Sequence, residues 1–193
     1  MRELVFLLEE RSAKAMLESL LPRLLQSGTG YRLVHFEGKQ DLEKQLVTKI
    51  RAYQNQQARF IVLRDQDSHP DCIQLKRRLL DLCAQTTKAE RCLVRLACTE
   101  LETFYLADLQ AVETALSVTG LARQQQSKKF RKPDDLGNPS HELRALTRGR
   151  YEKVAGSRAI GQHLDLDNER SPSFHNLVAA IRRLEIELIK DEA

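Results

Sequence analysis

Acidic residues follow closely after three of the apolar runs in this 193-residue chain, and two of these runs are considered first. Glu9 follows residues 4–8, and Asp65 and Asp67 follow residues 60–63. Carboxylates that are held close together repel one another, and a bound cation is the usual way to relieve that repulsion. Magnesium prefers oxygen ligands, commonly one or two carboxylates with water and a substrate phosphate. These residues therefore favour metal-assisted chemistry on phosphate esters.

The first half of the chain alternates strand and helix patterns that would bring these acids together. Short apolar runs without helical gaps predict buried strands, and apolar residues at helical spacing predict a helix after each of the first three strands. The predicted strands are residues 4–8, 31–36, 60–63 and 92–97. Helical connections impose parallel pairing, so the carboxyl ends of all four strands meet at one edge, where ligands bind in open α/β folds.

Two further acids, Glu100 and Glu102, follow the fourth predicted strand. Each is a candidate metal ligand. Thr99 is also a candidate N-cap, with Glu102 at the third helical position, and this is the pattern of a capping box. Glu10 is either an additional ligand or a residue that favours a helix N-terminus. Asp108 is interpreted as the cap of the helix that follows it.

The chain changes character after residue 118. Residues 100–107 and 109–116 predict two short helices, and residues 123–158 are polar, basic and interrupted by proline and glycine. Serine followed by proline at residues 171–172 predicts the start of a last helix. We therefore expect an α/β catalytic domain over residues 1–118. A basic loop and helical C-terminal extension over residues 119–193 is expected to pack on it.

Basic residues in this extension, together with one beside the first aspartate, form a candidate nucleic-acid surface. Lysine and arginine near a metal centre attract the phosphate backbone, and salt weakens that attraction. The alternative is a solvated loop whose charge is balanced by its own acids, and the formal net charge of +4 is too small to establish a polyanionic partner. The candidates are Arg64, Lys128, Lys129, Arg131, Arg150, Lys153 and Arg158.

The composition is that of a globular protein, with 41% hydrophobic and 30% charged residues. No apolar run is long enough to cross a bilayer, and the N-terminus lacks the features of a signal peptide. We expect a cytoplasmic protein without a membrane partner. The spacing of the four cysteines does not suit a zinc site and predicts reduced thiols.

Several segments resemble the TOPRIM fold, which topoisomerases, primases and nucleases of the overcoming-lysogenization-defect (OLD) family share. The features are a glutamate after strand one, in residues 7–13, and an Asp-x-Asp sequence after strand three, in residues 62–67. The closest resemblance is to a prokaryotic TOPRIM-like family of unknown function. It continues through residues 36–42, 100–108, 151–153 and 171–174 and covers nearly the whole chain. Glu10 stands where TOPRIM proteins usually have glycine.

The resemblance implies a TOPRIM-like parallel four-stranded sheet with helices on both faces, followed by a mostly helical, basic C-terminal extension. It implies a nuclease dependent on Mg²⁺ (or Mn²⁺) that cleaves DNA or RNA. Glu9, Asp65 and Asp67 would be its catalytic residues and metal ligands, and Glu100 and Glu102 would be further ligands. Relatives of this type are often encoded beside ATPases in phage-defence loci.

Two other functions remain open at this stage. One is a non-catalytic or regulatory subunit that docks on a partner ATPase, and the other is phosphotransfer on a small nucleotide. The sequence leaves the oligomeric state open as well.

Overall fold

Four parallel strands form the centre of the molecule. In the computed structural model, which describes residues 2–191, they are β1 (Glu3–Leu8), β2 (Gly30–His35), β3 (Arg59–Asp65) and β4 (Cys92–Ala97). Their order across the sheet is β2-β1-β3-β4. Helices α1 (Arg11–Leu24), α2 (Lys39–Arg51) and α3 (Cys72–Ala84) connect successive strands. The predicted parallel α/β sheet is confirmed.

Helices cover both faces of the sheet. Leu4, Phe6 and Leu8 of β1 belong to one hydrophobic cluster, which contains the buried side chains of α1. Val5 and Leu7 belong to a second cluster, which contains those of α2 and α3. Because successive side chains of a strand point to opposite faces, a strand with two buried faces has no polar alternation. This explains the uninterrupted apolar run at residues 4–8.

Within residues 2–191, five more α-helices complete the side of the sheet that α1 covers. They are α4 (Glu102–Leu106), α5 (Leu109–Leu116), α6 (Pro139–Leu146), α7 (Lys153–Gly161) and α8 (Pro172–Asp191). Helix α8 packs against β4, β1 and β3, and its apolar side chains join the same cluster as those of α1. No helix within residues 2–191 is both long and apolar enough to cross a lipid bilayer.

The C-terminal extension was predicted to be mostly helical, and its polar, basic segment contains the two helices α6 and α7. Glycine disfavours a helix, and α7 contains Gly156 and Gly161. Both glycines allow close packing instead. A Cβ atom at position 161 would lie 2.6 Å from the backbone oxygen of Met16 in α1. The helix is therefore stabilised by tertiary contacts that its sequence pattern does not reveal.

Two capping predictions have different outcomes. Asp108 caps α5 as predicted, because its Oδ1 accepts a hydrogen bond from the N–H of Ala111 at 3.0 Å. The capping box at Thr99 is wrong, because α4 begins only at Glu102. Thr99 adopts a left-handed conformation with φ 63°, and its hydroxyl donates to the backbone oxygen of Leu136 at 2.9 Å.

The strand order opens a crevice at the carboxyl ends of β1 and β3. From β1 the chain continues into α1 on one face, and from β3 it continues into α3 on the other. The loops that follow these neighbouring strands therefore diverge, which is the usual position of a ligand site in an open α/β sheet. Glu9 lies at one side of this crevice, and Asp65 and Asp67 lie at the other.

Candidate metal centre

Glu9 and Asp65 are joined by a hydrogen bond across the ends of the two central strands. The backbone N–H of Asp65 donates to Oε2 of Glu9 at 3.0 Å. The backbone N–H of Glu9 donates in turn to the oxygen of Leu63 at 3.2 Å, so the pairing of β1 with β3 extends to the acidic residue. Glu9 is 9% exposed and Asp65 is 7% exposed. The structure thus brings these two predicted site residues together in a buried position.

Burial and mutual repulsion raise the pKa of both carboxyl groups. Desolvation is the largest cause of the raised pKa of Glu9, the charge of Asp67 adds to it, and the hydrogen bond from Asp65 opposes it. The pKa of Asp65 lies well above its ordinary value, first because of burial and then because of the charges of Glu10, Glu102 and Glu9. A cation among these carboxylates would offset both the desolvation of the charged groups and their repulsion.

Glu102 is the third buried acid of this group and the only one of the three at 0% exposure. Its Oε1 accepts a hydrogen bond from the hydroxyl of Tyr151 at 2.9 Å. Its Oε2 has no hydrogen-bond partner among residues 2–191. Burial raises the pKa of Glu102, and the charge of Lys153 works in the opposite direction. A buried carboxylate oxygen without a partner is costly, and it is available to a bound cation.

Glu100 is placed differently from Glu102. Its Oε2 accepts a hydrogen bond at 2.7 Å from the backbone N–H of Ser140, in the first turn of α6. A carboxylate is favoured there because the first N–H groups of a helix are unpaired and carry partial positive charge. The structure therefore separates two residues that the sequence left equivalent. Glu102 belongs to the buried acids, and Glu100 caps α6.

Asp67 lies at the rim of the crevice rather than within the buried group. Its φ of 54° is unusual for a residue with a side chain, and the turn is held because its N–H donates to the oxygen of Thr99 at 2.7 Å. Its carboxylate is 33% exposed and forms an ion pair with Nζ of Lys39 at 3.0 Å.

A cavity of about 540 Å³ opens between the loop after β1, the start of α2 and the start of α7. Lys153 reaches it from α7, and its Nζ lies 2.8 Å from Oε2 of Glu10. A second cavity of about 410 Å³ adjoins Asp67 and shares Lys39 and Asp67 with the first. The acids of the first cavity are Glu9, Glu10, Glu37 and Asp67, and its cations are Arg11, Lys39 and Lys153.

A protein family described as "Domain of unknown function (DUF4276)" matches residues 8–182. The chain belongs to this family. No curated protein matches it. Among solved structures, the C-terminal region of the Burkholderia pseudomallei OLD protein is similar, with 15% identity and a TM-score of 0.54. The match covers 96% of this chain and 98% of that one, so the two share a fold over almost their whole length.

Arg64 of this DUF4276 member, a predicted nucleic-acid contact, is nearly buried and lines the second cavity. Its side chain is only 7% exposed and lies between two carboxylates. Its Nε is 3.7 Å from Oε2 of Glu9, and its Nη1 donates to Glu43. The guanidinium is thus occupied in holding Glu9, and it balances part of the buried negative charge.

The other predicted basic residues are all exposed. Lys153 is the member that lines the cavity, as described above. The rest lie on the surface of residues 128–158, and three of them contact acidic side chains or backbone carbonyls of their surroundings. They are Lys128, Lys129, Arg131, Arg150 and Arg158.

Two residues of the site were missed by the sequence prediction. Lys39 is the first residue of α2 and follows the loop after β2, so its position near the carboxyl edge was the signal that could have revealed it. Tyr151 lies in the segment 151–153 that carries the family resemblance, but an aromatic residue in a polar stretch does not by itself indicate contact with a distant glutamate.

The buried acids suit a hard divalent cation by their chemistry. Glu9, Asp65 and Glu102 provide oxygen donors with raised pKa values, and one oxygen of Glu102 is unpaired. In the part of the chain that the structure describes, no three His, Cys, Asp or Glu side chains are gathered closely enough to hold a metal ion. Magnesium commonly binds through one or two carboxylates and retains several waters, so these donors still fit it.

Proposed function

We propose that this protein is a divalent-metal-dependent nuclease with a TOPRIM-like site that cleaves phosphodiester bonds in DNA or RNA. The observation that carries the proposal is the burial of three acids near the carboxyl edge of the sheet, one of which, Glu9, lines a cavity that also contains two lysines. Buried carboxylates without a partner are unfavourable, and a bound cation would balance their negative charge. The fold shared with the OLD protein region supports the same proposal.

The residues of the chain divide into two roles in this proposal. Glu9, Asp65, Asp67 and Glu102 hold Mg²⁺ or Mn²⁺, one or two of them as direct ligands and the others through water molecules of the ion. The bound ion supplies a Lewis acid for the phosphate and a water of lowered pKa. Glu100 is not included, because its carboxylate caps α6.

The lysines at the cavity act on the substrate. Lys153 and Lys39 stand on different walls of the cavity and bind the unesterified oxygens of the phosphate, which orients it towards the acids. Both lysines are paired with acids in the structure, through Glu10 and Asp67. Binding of a divalent cation by Asp67 would release Lys39 for the phosphate.

The exposed basic residues of the segment 128–158 extend this surface. Their charges attract the nucleic-acid backbone without reading its sequence. The binding they provide is therefore expected to weaken steeply with salt and to depend little on base sequence.

A second candidate function is docking on a partner ATPase, encoded nearby in a phage-defence locus. The observation that favours it is the outer face of α3, where Ile73 is 75% exposed and Leu80 is 39% exposed. Exposed apolar residues on one helix face are compatible with a partner surface. The two functions are compatible, because α3 covers the sheet face opposite to α1 and α7.

Cleavage assays with a panel of substrates test the proposal. Plasmid DNA, single-stranded DNA and transfer RNA are incubated with the purified protein, with Mg²⁺, with Mn²⁺ and with chelator. We expect metal-dependent cleavage of at least one substrate, loss of cleavage in Asp65→Asn, and retention in Asp81→Asn, which alters an exposed acid of α3. Binding without cleavage under all conditions would contradict the nuclease and favour the docking function.

A further inference from the structure

Tyr151 is buried beside the acids, although it comes from a distant part of the chain. It is 1% exposed, and its ring packs against that of Tyr105 at a centroid distance of 6.0 Å. Its hydroxyl donates to Oε1 of Glu102 at 2.9 Å. A phenol that joins two elements inside a protein in this way fixes the orientation of its partner.

The Tyr151 hydroxyl has three candidate acceptors for its single proton, and Glu102 is the strongest of them. Ser157 Oγ lies 3.2 Å from it and is one candidate, because the Ser157 hydroxyl donates its own proton to the backbone oxygen of Lys153 at 2.5 Å. That backbone oxygen is also a candidate acceptor for Tyr151, at the longer distance of 3.4 Å. The carboxylate is the stronger and nearer acceptor, because a charged acceptor strengthens a hydrogen bond.

The ring of Tyr151 is held in place by the close approach of α7. A Cβ atom at Gly156 would lie 2.5 Å from Cδ2 and 2.8 Å from Cε2 of the ring. Only glycine at this position allows the helix to press the ring towards α4. The glycine that weakens the helix pattern thus has a specific packing role.

We propose that Tyr151 is a positioning residue that holds Glu102 by one oxygen, so that the other oxygen binds the divalent cation. This inference rests on the proposed function. The last torsion of a glutamate side chain is broad, so an anchored Oε1 determines where the buried Oε2 stands. Second-layer partners of this kind typically change metal affinity by about 10- to 100-fold.

The substitution Tyr151→Phe removes the hydroxyl and keeps the ring. Its test is the dissociation constant for Mn²⁺, measured by electron paramagnetic resonance, with the unfolding temperature of the metal-free protein as a check on the fold. We expect about tenfold weaker Mn²⁺ binding, with a changed spectrum of the bound ion. In a Glu102→Gln background, Tyr151→Phe should cause no further loss, because both changes act through the same carboxylate.

Gly156→Ala tests the same role without removing a polar group. The added methyl group would displace the ring, so Mn²⁺ binding should weaken as in Tyr151→Phe. Gly137→Ala is the matched control, because a Cβ atom there would have nothing within 4 Å. Unchanged Mn²⁺ binding in a folded Tyr151→Phe variant, or an equal additional loss in the Glu102→Gln background, would overturn the inference while the proposed function stands. Failure of the unmodified protein to bind Mn²⁺ would overturn both.

Discussion

The carboxylate of Glu9 accepts a hydrogen bond from the backbone N–H of Asp65 at 3.0 Å, and this contact ties the end of β1 to the end of β3. Arg64 contacts the same carboxylate oxygen from the other side at 3.7 Å. Glu9 is therefore held by one neutral and one charged partner. A substitution can therefore remove the negative charge of Glu9 and keep its hydrogen bond from Asp65. We assign the function of Glu9 to its charge.

Glu9→Gln should abolish metal-dependent cleavage and leave the fold intact. The amide oxygen can still accept the hydrogen bond from Asp65, but the group no longer offers a negative charge to the cation. We expect a loss of cleavage on the order of 100-fold or more. Rates under single-turnover conditions, with circular dichroism as the fold control, provide the measurement. Cleavage at the rate of the unmodified protein would remove Glu9 from the site.

The metal-free protein should be most stable at mildly acidic pH. Burial raises the pKa of Glu9, Asp65 and Glu102 in the folded state. The stability they contribute is fully present below the unfolded pKa, 4.5 for glutamate, and is lost as pH rises through the raised folded values. Asp41 and Glu113, whose pKa values are lowered, act in the opposite sense as pH falls.

Mg²⁺ should change this profile, because the ion competes with protons for the same oxygens. We expect a larger increase in unfolding temperature at about pH 8 than at about pH 5. Thermal unfolding across this range, with and without Mg²⁺, is the measurement. A metal-free protein whose stability rises steadily from mildly acidic to alkaline pH would show that these carboxyl groups are not destabilised by burial.

Arg64→Met should destabilise the fold, because it leaves Glu9 and Glu43 without their shared buried cation. Removing one partner of a buried ion pair typically costs about 3–5 kcal/mol. Arg78 is the matched control, since it also contacts Glu43 but has a side chain that is 66% exposed. Arg78→Met should cost less than about 1 kcal/mol in the free energy of unfolding by urea. Equal effects of the two substitutions would contradict the structural role of Arg64.

Lys153→Met should weaken nucleic-acid binding about equally for all base sequences. Removing one phosphate contact lowers the slope of log K against log salt by about 1. Fluorescence anisotropy with a labelled oligonucleotide at several salt concentrations measures this slope. Lys49→Met, at the last turn of α2 and away from the carboxyl edge, should leave it unchanged. An unchanged slope for Lys153→Met would place the nucleic acid elsewhere.

The sheet and the pairing of its acids could be predicted because their cause is local. Strands buried on both faces produce apolar runs, and a residue that follows such a run must lie at the carboxyl edge. This reasoning was sufficient to place Glu9, Asp65 and Asp67 at one edge. It could not distinguish the buried Asp65 from Asp67 at the rim. Asp67 adopts a left-handed conformation, and the distant oxygen of Thr99 holds it there through a hydrogen bond.

The remainder of the site depends on contacts between distant segments. Glu100 and Glu102 are two residues apart, and what separates them is Ser140 on one side and Tyr151 on the other. Arg64 appears in the sequence as a cation beside an aspartate, and only the fold shows that it lies between Glu9 and Glu43. Such assignments require the tertiary structure, because no periodicity encodes them.

Calorimetric titration of the metal-free protein with Mn²⁺, alongside Asp65→Asn, shows whether the buried acids bind a divalent cation. We expect saturable binding to the unmodified protein and a loss of binding in Asp65→Asn. We also expect that metal-free Asp65→Asn is more stable by a few degrees in unfolding temperature, since about 1 kcal/mol of repulsion relieved has that effect in a domain of this size. Absence of Mn²⁺ binding to the unmodified protein, or equal binding to both proteins, would contradict the account.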